Sequence, residues 1–109
     1  LTDHDFVGYD TDQRIIEGMQ AAGIDVDRSF FGVRCDDFMG YWELLRAGCG
    51  IGFAQQDVGE RDPLVERLDV DFPLPVLPVW LTAHEAMRQT PRIRRVWDML
   101  AKGLKTVVT

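Results

Sequence analysis

The sequence predicts an α/β fold, a mostly parallel sheet crossed by helices, with an amphipathic helix at the C-terminus. Short apolar runs of strand length at 5–10, 29–35 and 50–54 are separated by two stretches with apolar residues at helical spacing. Such alternation is the pattern of parallel sheets, whose neighbouring strands cannot be joined by a tight turn and need a crossover. Near the end, Thr90 and Pro91 precede a long periodic stretch, which marks a helix start.

Taken in order, "DFVGYD" (Asp5–Asp10) is the first expected strand. The helix that follows, "TDQRIIEGMQAAG", has Ile15, Ile16, Met19 and Ala22 on one side, Asp10 or Thr11 as its cap and Gly23 as a left-handed stop. "SFFGVRC" (Ser29–Cys35) is the second strand. "DDFMGYWELLRAG" is the second helix, with Phe38, Trp42 and Leu45 on its apolar stripe, Asp36 or Asp37 as cap and Gly48 as stop. "GIGFA" (Gly50–Ala54) then reads as a buried strand. "QQDVGERDP" is a loop or one helical turn, and "LVERLD" a short edge-like strand. Pro73, Pro75 and Pro78 remove three amide donors, so that stretch is an extended connector and only Val79–Ala83 is expected to join a ladder. In the last helix Ile93, Val96, Trp97, Leu100 and Leu104 form one stripe.

The dense glycines Gly48, Gly50 and Gly52 raise the question of a phosphate cradle. A cradle places its glycines after a strand and before a helix, so that free amides face the phosphates. Here a helix ends at Gly48 and a strand begins near Gly50, and no lysine follows. Gly48 is therefore a helix stop, while Gly50 and Gly52 let the strand backbone pack tightly beneath a helix.

Composition narrows the function. The 109 residues, 46% hydrophobic, suffice for one modest domain, and the net charge is −6. From Leu1 to Met87 six arginines are far outnumbered by Asp and Glu, which excludes a general nucleic-acid footprint there. From Arg88 onward the balance reverses, with Arg88, Arg92, Arg94, Arg95, Lys102 and Lys105. That tail is a nucleic-acid footprint, a solvated helix face or a partner for an acidic surface, and the last two are favoured. Cys35 and Cys49 read as buried reduced thiols in preference to a redox pair. His4 and His84 lack neighbours at ligand spacing, so no metal is expected. No apolar run spans a bilayer, and no basic-then-apolar leader opens the sequence. The first residue is Leu1, so a longer parent chain is expected.

The ordered set "RCDD…WELLRAGCGIGFA…DPLVERL…LPVWLTAHE…TPRIRRVWDMLA" resembles the C-terminal effector-binding domain of LysR-type transcriptional regulators over nearly the whole chain. No single motif is specific; their order and spacing carry the resemblance. One departure stands out: the family commonly has Leu-Pro after the glycine strand, where this chain has Ala54 and Gln55. The resemblance implies a periplasmic-binding-protein-like fold of two lobes around an effector cleft. Residues 1–75 would be the second lobe, and 76–109 the returning strand and final helix that pack on a first lobe. It also implies a cytoplasmic homodimer, a small-molecule effector, and DNA contact only through a helix-turn-helix upstream of these residues; no cofactor is expected, and the alternative is a stand-alone dimerisation module or solute-binding lobe with no role linked to DNA.

Ligands of open α/β sheets gather at the carboxyl ends of the strands. In this chain those ends are Tyr9, Asp10 and Thr11, then Asp36 and Asp37, then Phe53 and Gln55, which are the expected effector contacts. Each has a plainer reading, since Asp10 and Asp37 are ordinary caps and Tyr9 and Phe53 can simply fill core. Three carboxylates at one cleft edge favour an effector with an amine or several hydroxyls over a bare anion. The resemblance places a subunit interface on Asp12–Ala22 and Phe30–Val33, with Arg14, Glu17, Gln20 and Phe31 as candidates. No nucleophile sits beside a base, and Ser29 is the only serine, so a catalytic role is not expected.

Overall fold

The computed structural model describes residues 1–108; Thr109, the last residue of the expected 76–109 segment, lies outside the described residues. The chain divides into two compact units, Leu1–Pro75 and Val76–Thr109.

The first unit is built on a small parallel sheet. Strand β1 (Val7–Gly8) pairs with β2 (Val33–Arg34), Val7 opposite Val33 and Gly8 opposite Arg34. On its other side Phe6 bridges Ile51 in parallel, with Ile51 N donating to Asp5 O and Val7 N to Ile51 O, both at 2.8 Å. β1 is thus central, and the crossovers are helices α1 (Arg14–Ala21) and α2 (Phe38–Arg46). The core is Phe6, Val7, Ile15, Ile16, Met19, Val26, Phe31 and Tyr41, where both sheet and helices contribute apolar faces.

All three expected strands are shorter than the apolar runs, for identifiable reasons. β1 ends at Gly8 because the amide of Asp10 bonds to the Asp36 carboxylate instead of a neighbouring strand. The second run opens as a 3₁₀ turn, Arg28–Phe30, because Asp27 accepts from Ser29 N at 2.9 Å, a local bond that competes with the ladder. The third keeps a single bridge and is half-buried rather than buried, with Ala54 exposed. Its next amide, Phe53, donates to the Tyr41 hydroxyl.

Helix ends follow local chemistry. Gly23 (φ +84°) and Gly48 (φ +78°) adopt the left-handed conformation expected of the two stops. Asp37 caps α2, accepting from Gly40 N at 2.7 Å. The cap of α1 is corrected: Gln13 occupies that position without a side-chain bond, and Asp12, not Asp10 or Thr11, takes the Arg14 amide. The buried residue of α2 is Tyr41, while Phe38 is 64% exposed. α3 (Gln56–Glu60) is the helical-turn alternative for the stretch after the glycines.

No strand forms over 64–69 among the described residues. Asp62 takes the Leu64 amide and holds a turn there, and Leu64 and Leu68 stay exposed. The two cysteines are free and half-buried, not buried.

In the second unit, the ladder expected over Val79–Ala83 is absent among the described residues, and Trp80 is exposed, because an extended segment becomes a strand only when a neighbour accepts its backbone groups. A 3₁₀ turn (Glu85–Met87) leads to α4 (Pro91–Val107). Thr90 stands at its cap position without a side-chain bond, and the Arg88 guanidinium lies 5.7 Å from the Trp97 ring centre. No described helix is long and apolar enough to cross a membrane.

Candidate functional site

The carboxyl ends of the first two strands are joined by one side chain. Asp36 leaves β2 and receives four donors from the segment after β1: Asp10 N at 2.8 Å, Thr11 N at 3.0 Å, Thr11 Oγ1 at 2.7 Å and Asp12 N at 3.4 Å. Successive amides converging on a carboxylate form a cradle of positive partial charge. The Thr11 hydroxyl first, and then the Thr11 amide, hold the Asp36 carboxyl down to about 2. Asp36 and Thr11, both expected at the site, are therefore in direct contact.

Asp10 faces away from that cradle towards two guanidinium groups. It is in close ion contact with Arg28, and Arg34 Nε lies 3.5 Å from the same oxygen. Arg34 Nη1 also donates to Arg28 O at 3.0 Å. Tyr9 packs its ring 5.1 Å from that of Tyr41, and the Arg14 guanidinium stands 5.7 Å from the Tyr9 ring centre.

Tyr41 connects this cluster to the third strand end. Its hydroxyl donates to Val7 O and accepts from Phe53 N, each at 3.0 Å. Burial pushes the phenol up to about 12. Phe53 is half-buried, and Gln55 is exposed at the first position ahead of α3. Both line a groove of about 670 Å³, whose walls include Trp42, Leu45 and Ile51.

The structure thus links Asp10, Thr11 and Asp36 by direct contact, while Tyr9 and Phe53 each touch Tyr41. Asp37, beside Asp36, turns its oxygen to the start of α2, and no contact ties Gln55 to the cluster among the described residues. The expectation that three carboxylates favour an amine loses its basis. Asp36 is occupied by three backbone amides and the Thr11 hydroxyl, Asp37 is a cap, and Asp10 is matched by arginines.

The candidates for a subunit contact separate in the same way. Arg14 pairs with Asp12 at 2.6 Å, Glu17 is exposed, and Gln20 donates to Val26 O at 3.0 Å. Phe31 is corrected: at 1% exposure it is core, its ring pressed against Gly8 and edge-on to Phe30.

Sequence reading missed Tyr41, Arg28 and Arg34. Tyr41 had a signal, since it lies four residues before Leu45 on the same side of α2. The arginines had none, because their partner is 18 or more residues away.

A family model for the LysR substrate binding domain matches residues 1–105. No curated protein and no solved structure matches the chain.

Proposed function

The chain belongs to the LysR substrate binding domain family, and on that premise we propose that it senses a small-molecule effector at the carboxyl ends of its parallel strands. The family is one of transcriptional regulators rather than enzymes, with a periplasmic-binding-protein-like α/β effector domain. The small parallel sheet and its crossover helices are compatible with that fold. In this reading residues 1–75 are the second lobe, and 76–109 supply the returning strand and helix of a first lobe.

The observation that carries the proposal is that side chains tie separate strand ends together, Asp36 between β1 and β2 and Tyr41 between β1 and Phe53. Tyr9, Asp10, Thr11, Phe53 and Gln55 are the effector contacts. Asp36 and Asp37 act one step back, holding the backbone that presents them. Effector binding shifts the population of closed lobes, and the shift passes through a cytoplasmic homodimer to a helix-turn-helix outside these residues. Arg14, Glu17 and Gln20 lie on the face assigned to the partner subunit.

The test is a thermal-shift screen of small metabolites on the native protein, with hits measured by titration calorimetry. A binder raises the melting temperature without being consumed. Phe53→Ala and Gln55→Ala are each expected to weaken it at least tenfold, and Gln55→Ala, on an exposed side chain, to leave the unliganded melting temperature within about 2 °C. Hits that bind both variants as tightly as the parent would remove these strand ends from the site.

A further inference from the structure

Tyr41 occupies a place that regular sheet geometry assigns to a backbone hydrogen bond. In a parallel ladder the bonds run alternately between the two strands at even spacing. Between β1 and the 51–55 segment the first two are present: Ile51 N to Asp5 O, then Val7 N to Ile51 O. The next member of that series is Phe53 N to Val7 O. Neither group makes it. Phe53 N donates to the Tyr41 hydroxyl, which in turn donates to Val7 O. One phenol oxygen is inserted between the strands and satisfies both groups, which is why so polar an atom is tolerated beside the fully buried Val7.

The sequence makes room for the insertion. A Cβ on residue 52 would stand 2.6 Å from Tyr41 Oη and 2.4 Å from Leu45 Cδ2, so only glycine leaves the hydroxyl its path. The Tyr41 ring packs against that of Tyr9, with ring centres 5.1 Å apart. The residue that parts the strands therefore touches one expected effector contact, Tyr9, and bonds the backbone of another, Phe53.

We propose that Tyr41 is a positioning residue of the effector site, a wedge whose hydroxyl holds β1 and the 51–55 segment apart at their carboxyl ends and so sets the distance between Tyr9 and Phe53. The wedge itself is independent of any ligand. Its consequence for effector binding rests on the function proposed above.

The experiment is residue-resolved amide hydrogen exchange on the native protein and on Tyr41→Phe. The substitution keeps the ring, which still blocks direct closure of the ladder, and removes the acceptor of Phe53 N. The expected result is exchange at Phe53 at least tenfold faster, with the Val7 and Ile51 amides of the intact ladder unchanged. A residue that merely stabilised the fold would accelerate all three together through global opening. A uniform increase, or no change at Phe53, overturns the wedge. Gly52→Ala gives a second reading by pushing Tyr41 Oη from its place; it is expected to accelerate Phe53 selectively as well, and a Phe53 rate equal to the parent's counts against the proposal. No ligand enters these measurements, so a screen that finds no effector overturns the effector reading while the exchange data still decide the wedge.

Discussion

Replacing Gly8 by alanine tests the packing of the central strand most directly. A Cβ there would meet Phe31 Cγ at 2.5 Å, Cδ1 at 2.6 Å and Cβ at 2.9 Å. Ordinary carbon contacts begin near 3.4 Å, so the ring must retreat by roughly 1 Å. It has little space to do so. Phe31 is among the two most completely buried side chains and is edge-on to Phe30, which leans on Phe6 with ring centres 5.4 Å apart. Overpacking of this kind costs about 1–3 kcal/mol. Against a total stability of about 5–15 kcal/mol for a chain of this length, the loss is a large fraction, and it lowers the melting temperature by about 10 °C. The assay is urea unfolding followed by Trp42 fluorescence in a Trp80→Phe, Trp97→Phe background, so that the signal comes from the first unit alone. Adding Phe31→Leu to Gly8→Ala trims the obstructing ring, and the double variant is expected to lose at least about 1 kcal/mol less than the sum of the single losses. A Gly8→Ala protein within about 0.5 kcal/mol of the parent at unchanged denaturant dependence refutes the argument. So does a double variant whose losses simply add.

Three further outcomes are expected. The Asp36 carboxyl titrates at about 2 when folded, below its ordinary 3.8, so the stability it confers is complete above that ordinary value and is lost as pH falls from 3.8 towards 2. Asp36→Asn should flatten the fall in melting temperature across that window, and an unaltered slope would remove Asp36 as its source. Tyr41 has the opposite sign: raised from 10 to about 12, it contributes stability that is lost as pH rises through that interval, and in Tyr41→Phe the alkaline loss should shrink in a melting series. Gly18, inside α1 with open space where a Cβ would sit, should accept alanine with a gain of about 0.5–1 kcal/mol, read as a higher urea midpoint; a lower midpoint would show that this position packs against something.

By itself the sequence determined what is local. The stops at Gly23 and Gly48, a cap at Asp36 or Asp37, the start at Pro91 and the buried Ile15, Ile16 and Met19 all rest on interactions within one turn of helix or on a single residue's backbone freedom. The alternation of runs also determined that the strands are parallel and joined by crossover helices, whereas the central place of β1, paired with β2 on one side and bridged to Ile51 on the other, came from the structure. Only the tertiary structure decided which run becomes strand and which does not. Residues 64–69 and 79–83 have the right composition, yet a strand exists only where another backbone meets it. The same holds for the site. Its strand ends were legible from the motif order, but Asp36 reaches across 24 to 26 residues for its donors, and Tyr41 reaches 34 residues back to Val7. Phe31 lay in a run that reads equally as surface or core until Gly8 closes over it. Each of these outcomes depends on a partner distant in sequence, and a chain read one segment at a time does not say which distant atoms will meet.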